Sequence, residues 1–156
     1  MKTVYLAGPI TGLEAKEAAG GWRAIAEEYF KALGVKTLNP MRGQSDMTGI
    51  LQPTDEDYGI HATNRNVLRN DFFDVQSADV VLANVTGAKR VSVGTTIEIA
   101  WCWALHKPCI LCIEPDAGVN SPDRNLHEHA MLIEMIASRE HTLNDALLRT
   151  ARFLGV

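Results

Sequence analysis

The chain has 156 residues, enough for one domain with a sizeable core, expected here to span residues 1–156. Its hydrophobic content of 46% and charged content of 22% are ordinary for a soluble globular protein. A formal net charge of −4 argues against a surface that coats nucleic acid, and no apolar run approaches the length that crosses a bilayer. The first residues, Met1 to Gly8, are too short an apolar run for a signal peptide and read as a strand, so the cytoplasm is the expected compartment.

In chain order, Thr3 to Ala7 is a continuous apolar strand running into Gly8-Pro9-Ile10-Thr11-Gly12. Glycine there lets backbone approach a ligand closely. The spacing is not the Gly-x-Gly-x-x-Gly of a dinucleotide loop. Gly21 to Leu33 predicts an amphipathic helix with Trp22, Ile25, Ala26, Tyr29 and Leu33 at helical spacing, stopped by Gly34. Val35 to Leu38 is a short second strand, closed by Asn39-Pro40. From Met41 to about Asn64 the pattern becomes polar and turn-rich, which predicts a long loop or lid. Its acidic run, Asp55-Glu56-Asp57, reads as a solvated face rather than a metal site.

Arg65 to Val75 returns to helix, with Asn70-Asp71 at or near a helix start. Asp79 to Asn84 is a third strand. An apolar helix follows from Ile97 to Leu105, ended by His106-Lys107-Pro108. Cys109 to Ile113 is a fourth strand. A helix is expected from about Leu126 to Ile136, and a last one from Leu143 to Phe153, capped by Thr142. Cys109 and Cys112 have the spacing of a metal knuckle or redox pair, but in a strand residues i and i+3 point to opposite faces. No second Cys/His pair stands at zinc spacing, so these cysteines and Cys102 read as buried reduced thiols, with no metal expected. The element order predicts a doubly wound, flavodoxin- or Rossmann-like parallel sheet of four or five strands with helices on both faces. Such folds bind ligands at the carboxyl edge of the sheet, but fold alone does not set the chemistry.

The stretch Ser92 to Ala100 joins the third strand to its helix at that edge. Glu98 is expected in the first helical turn, where the dipole and unpaired N–H groups favour the ionised carboxylate. Such a carboxylate in a cleft can attack a sugar carbon. Thr95-x-x-Glu98 also has the form of a capping box, which needs no substrate.

Four pieces in order carry a resemblance. They are Val4-Tyr5-Leu6-Ala7-Gly8; Asn70-Asp71 followed by Ser77 to Ala83; Gly94-Thr95-Thr96-Ile97-Glu98 followed by Ala104 and Lys107-Pro108; and His129-Ala130-Met131. Together they resemble the nucleoside 2-deoxyribosyltransferase superfamily, from the first strand to about Met131. The resemblance implies cleavage of the N-glycosidic bond between sugar and base. It casts Glu98 as the nucleophile that forms a covalent glycosyl intermediate, Asp71 as the carboxylate assisting the departing base, and Tyr5 as the residue orienting the nucleophile. A carboxylate beneath the ring would stabilise the oxocarbenium-like transition state. Read without the family, Tyr5 is a strand aromatic, Asp71 a helix cap and Asp79 a cap of the third strand.

Within the resemblance, nucleoside transferases carry Asp where this chain has Ser92, and relatives acting on nucleoside 5′-monophosphates carry Ser. A carboxylate repels phosphate, whereas a hydroxyl can donate to it. Gly8, Gly94, His129 and Met131 are the further substrate-binding candidates. A protonated His129 would suit phosphate, and Lys89-Arg90 add charge nearby or form an exposed basic pair. Trp22, Asn39, Met41 and Arg42 are candidates for a base pocket, Trp22 also fitting a core position. The expected activity is a nucleoside 5′-monophosphate N-glycosidase. The alternatives are a deoxyribosyltransferase, in which a second base replaces water, and a non-catalytic nucleotide-binding sensor. The resemblance implies a homodimer or larger homo-oligomer in which His129 reaches a neighbouring site. The expected partner is a small nucleoside or nucleotide, without cofactor, nucleic-acid polymer or membrane.

Overall fold

The computed structural model describes residues 1–10, 21–41, 64–118 and 120–156. The expected loop over 42–63, its acidic run, Arg42, Thr11 and Gly12 lie outside the described residues. The elements are β1 (Thr3–Ala7), α1 (Trp22–Ala32), β2 (Lys36–Leu38), α2 (Asn64–Ser77), β3 (Val80–Asn84), α3 (Val93–Ala104), β4 (Cys109–Cys112), α4 (Ala130–Glu134), β5 (Ser138–Glu140) and α5 (Leu143–Leu154). The strands form one parallel sheet in the order β2-β1-β3-β4-β5. The chain steps outward from β1 to β2, then returns past β1 to lay down β3. The topological switch falls between β1 and β3, and in α/β sheets ligands bind at the carboxyl ends of the strands beside such a switch.

The central strands are apolar throughout because both faces are covered. In β1, Val4 and Leu6 pack with Ala26 and Phe30 of α1 and with Ala146 and Leu147 of α5. Tyr5 and Ala7 face the other way, towards Val75 of α2 and Ile99 of α3. The same alternation sends Cys109 to one core and Cys112 to the other. All three cysteines are free and buried, in keeping with the sequence reading. Gly34, at φ +69°, ends α1 in the left-handed conformation that suits glycine.

Three expectations are corrected. The helix expected over Leu126–Ile136 is a short α4, Ala130–Glu134. Asn125 competes with it: its side-chain oxygen accepts from His127 N–H at 3.0 Å, and its amide donates to Val85 O and Glu114 Oε2, both at 2.8 Å. The strand β5, Ser-Arg-Glu, has no place in the expected element order. It is a polar edge strand whose side chains are engaged in ion pairs, Arg139 with Glu128 and Glu140 with Arg149. The buried face of α1 is Arg23, Ala26 and Phe30, while Ile25 and Leu33 are exposed. A buried arginine has turned the helix about its axis relative to the apolar pattern. Among the described residues no helix is long and apolar enough to cross a membrane.

Candidate active site

The site is built on the start of α3. Ser92, in extended conformation, caps this helix by accepting from Thr95 N–H at 3.3 Å and from Thr95 Oγ1 at 2.9 Å. The helix therefore begins at Val93, four residues before the expected start. This corrects two expectations. Thr95-x-x-Glu98 is not the capping box, because Ser92 is the cap. Nor is Glu98 in the first turn: it is the sixth helical residue, counted from Val93, and falls on the buried side with Thr95, Ile99 and Cys102.

Glu98 is 7% exposed, and its Oε1 accepts a 2.5 Å hydrogen bond from the Tyr5 hydroxyl. The dipole argument for an ionised carboxylate does not hold at this depth. Burial pushes the Glu98 carboxyl up to about 8; the Tyr5 hydrogen bond pulls down, the charge of Asp71 pushes up, and Arg23 pulls down. Burial, then the charges of Glu98 and Asp71, hold the Tyr5 phenol far above its ordinary range, so it stays a donor.

Asp71 lies half-buried in the middle of α2, which overturns its reading as a helix cap. Its charge acts on Tyr5, Glu98 and Arg23 alike. β1, α2 and α3 thus bring Tyr5, Asp71 and Glu98 into one electrostatic neighbourhood. Asp79 is elsewhere: it accepts from Thr3 N–H at 2.8 Å and ties the amino ends of β1 and β3.

Gly8, just beyond β1, lies on the same edge. A Cβ there would meet Asn84 O at 2.7 Å, Trp22 Cζ2 at 3.0 Å and Arg23 Nη2 at 3.1 Å, so the position requires glycine for close packing. At Gly94, in the first turn of α3, a Cβ would meet nothing within 4 Å. The first N–H groups of a helix have no intrahelical acceptor and point toward anions. Lys89 and Arg90 are exposed just before this turn.

His129 caps α4, its Nδ1 accepting from Met131 N–H at 3.3 Å, and both residues are exposed. No described contact joins them to Glu98, Tyr5 or Asp71 of the same chain. Trp22 is half-buried against the α1–α5 core. Asn39 takes a structural role, donating to Glu27 Oε1 and accepting from Met41 N–H, both at 2.9 Å. Two surface cavities, of about 470 Å³ beside Lys36 and Phe73 and about 350 Å³ beside Trp103 and Pro108, contain none of the candidate residues. Among the described residues no group of three or more His, Cys, Asp or Glu is placed to hold a metal.

The sequence reading missed two contributors. Arg23, 1% exposed, donates from Nε to Leu6 O at 3.3 Å and from Nη2 to Gly8 O at 2.7 Å. His127, also 1% exposed, accepts from Ser92 N–H at Nε2, 2.9 Å away, and so fixes the residue that caps α3. Arg23 had one available signal, a charge at helical spacing with Ala26 and Phe30. His127 had none, since its contact depends on a loop conformation.

The model of the nucleoside 2-deoxyribosyltransferase family matches residues 4–131, and the chain belongs to that family. Three solved structures share the fold. A conserved protein from Enterococcus faecalis V583 is 16% identical, with 97% of this chain and 98% of that one covered and a TM-score of 0.64. The CMP N-glycosidase BcmB of Clostridium botulinum is 18% identical, with 97% and 99% covered and a TM-score of 0.55. A 2-desoxiribosyltransferase from Leishmania mexicana is 17% identical, with 74% and 67% covered and a TM-score of 0.53. No curated protein sequence matches the chain.

Proposed function

We propose that the protein cleaves the N-glycosidic bond of a nucleoside or deoxynucleoside 5′-monophosphate through a covalent glycosyl-Glu98 intermediate. The observation that carries the reading is the buried Glu98 carboxyl held through one oxygen by Tyr5, with Asp71 beside it, at the carboxyl edge of the sheet. In the first step Oε2, not held by Tyr5, attacks C1′ as the C1′–N bond breaks. The leaving base takes up a proton, with Asp71 as its donor. In the second step water attacks C1′, its proton passes to Asp71, and the ester bond to Glu98 breaks. The products are free base and sugar 5-phosphate.

Ser92 supports a phosphate over a 5′-hydroxyl. Both of its hydroxyl's acceptor positions are taken by Thr95, so what it offers a ligand is its O–H, a donor. A phosphate is an acceptor, and the start of α3 at Gly94 lies open beside it. The second reading is a deoxyribosyltransferase, favoured by the family match and differing only in whether water or a base resolves the intermediate. We place the partner as a second copy of this chain, with the exposed His129 and Met131 reaching the neighbouring site. The apolar side chains of Leu126, Val93 and Ile97 are also exposed.

The test is a panel of nucleosides and their 5′-monophosphates, with and without an acceptor base, followed by chromatography. Base release from monophosphates alone supports the hydrolase, and base exchange between nucleosides supports the transferase. Binding without turnover overturns both and leaves a nucleotide sensor.

A further inference from the structure

Ser92 is held at every polar position but one. Its N–H donates to His127 Nε2 at 2.9 Å. Its carbonyl accepts from Thr96 N–H at 3.0 Å and from Thr96 Oγ1 at 2.9 Å. Its hydroxyl oxygen accepts from Thr95 N–H and Thr95 Oγ1. With both lone pairs taken, the hydroxyl hydrogen is left with one tetrahedral direction. The Thr95 and Thr96 bonds belong to the first turn of α3 and move with it. Among the described contacts of Ser92, the bond to His127 is the one that fixes it to a distant part of the chain.

That bond is itself braced. His127 is buried, and its Nδ1 faces Asn125 Oδ1 at 3.0 Å; the same oxygen accepts from His127 N–H at 3.0 Å. The Asn125 amide gives both of its hydrogens, to Val85 O and to Glu114 Oε2, each at 2.8 Å, and the other Glu114 oxygen accepts from Gly87 N–H. Asn125 and Glu114 thus hold the start of the loop 85–91, which joins β3 to α3, and His127 holds its end. Arg139 of β5 fixes the far side: it donates to both oxygens of Glu128, each at 2.6 Å, and to Glu114 O at 3.2 Å. Water can satisfy the N–H of a half-buried residue such as Ser92. A buried imidazole with fixed partners behind it supplies direction, which water does not. We propose that His127 is a positioning residue for the 5′ end of the substrate, acting through Ser92: it sets where the Ser92 hydroxyl aims its one free hydrogen. This rests on the function proposed above, in which that hydrogen meets the 5′ group.

The test compares kcat/KM for a nucleoside 5′-monophosphate, its nucleoside and the matching 5′-deoxynucleoside, which lacks any 5′ group. The ratio of the first to the last is the preference for the 5′ phosphate. In His127→Leu, which leaves the Ser92 N–H without its acceptor, this preference is expected to fall about tenfold or more, with the loss in KM. In His127→Gln, whose amide oxygen can accept from Ser92 N–H, most of it should return. In a Ser92→Ala background, His127→Leu should lower the ratio no further, because the two residues act as a unit. An unmoved ratio, with all three substrates slowed alike, makes His127 a joint of the fold and overturns the proposal. A wild type that prefers the 5′-hydroxyl instead, by a ratio that His127→Leu lowers, keeps the proposal and overturns the monophosphate reading. A wild type indifferent to any 5′ group overturns both. Should His127→Leu fail to fold, ¹⁵N NMR of the wild type decides, with ribose 5-phosphate, 2-deoxyribose 5-phosphate and the two free sugars as probes. The Ser92 amide and His127 Nε2 signals should shift together with the sugar phosphates. A joint shift with the free sugars alone keeps the proposal and counts against the monophosphate; no shift with any probe overturns the proposal.

Discussion

The Tyr5 hydroxyl donates to Glu98 Oε1 at 2.5 Å across 93 positions of sequence. The phenol is buried and held in its protonated form, so it keeps the proton that it donates to that oxygen. This fixes which Glu98 oxygen faces the sheet and stabilises its ionised form. Replacing Tyr5 by Phe keeps the ring in the core and removes the donor. A hydrogen bond to a charged group is worth about 1.5–3 kcal/mol. Tyr5→Phe is therefore expected to lower kcat/KM roughly ten- to hundredfold at pH 7 and to move its acid limb upward. Unchanged kinetics would return Tyr5 to a packing role.

Glu98 itself separates function from stability. Its folded carboxyl lies near 8, above the ordinary value of 4.5. A group raised in this way contributes stability that is fully present below its unfolded midpoint and lost as pH rises to its folded midpoint. At pH 7 the unfolded chain ionises Glu98 and the folded chain resists doing so, a penalty on the order of 2–3 kcal/mol. Glu98→Gln keeps an oxygen for Tyr5 and removes the penalty. We expect it to abolish base release and yet to unfold at a higher temperature than the wild type, with the gap growing from pH 5 to pH 8. In the wild type the two carboxyls must hold one proton, on Asp71 with Glu98 ionised, so kcat/KM should be bell-shaped in pH and fall as both ionise above about 8. A Glu98→Gln protein less stable than the wild type at pH 8 would mean that this carboxyl is not buried at such a cost.

The sheet that frames this site is readable from the sequence in its apolar runs, whereas Tyr5, Asp71 and Glu98 are singled out only by the family resemblance. The runs around Tyr5, Val80 to Asn84 and Cys109 to Cys112 are apolar because the sheet is covered on both sides, and their order fixes which ends share a crevice. What the sequence hides are contacts that break local patterns. Arg23 occupies a core position of α1 because two carbonyls of β1 and its following turn accept from it. The three polar residues of β5 have no hydrophobic signature because an edge strand needs none. The ionisation of Glu98 is misread from the sequence because the helix begins at Val93 rather than near Ile97. That moves the carboxylate out of the first turn and into the interior.

Ser92 links helix capping to substrate choice. Aspartate caps a helix about as well as serine. Ser92→Asp should therefore leave the start of α3 intact, with thermal stability within a few tenths of a kcal/mol. It would place a negative charge where the phosphate is proposed to sit. Juxtaposed like charges cost several kcal/mol, so turnover of monophosphates should fall by at least about a hundredfold while turnover of nucleosides is kept or raised. The check is the ratio of kcat/KM for a nucleoside and its own 5′-monophosphate. An unchanged ratio would place the 5′ end of the substrate away from Ser92.

His127 joins the loop before α4 to the start of α3, and its ring chemistry makes that joint sensitive to acid. Nε2 accepts from Ser92 N–H, so the neutral ring carries its proton on Nδ1, opposite Asn125 Oδ1 at 3.0 Å. Protonation would set a second N–H against that of Ser92. Burial lowers the His127 midpoint, and the nearby Glu114 only partly opposes it. With the folded value depressed below 6.5, the contribution to stability is present above that pH and lost as pH falls through the folded midpoint. Between pH 7 and pH 5 Glu98 adds the same stability to the wild type and to His127→Gln, which offers an uncharged oxygen to Ser92 N–H, so the joint is read as a difference. Over that interval the wild type should lose several degrees of unfolding temperature relative to His127→Gln. That interval lies above the midpoints of Glu114 and Glu140, both held low, so their titration does not contribute. Parallel curves for the two proteins would assign the joint between Ser92 and this loop to packing alone.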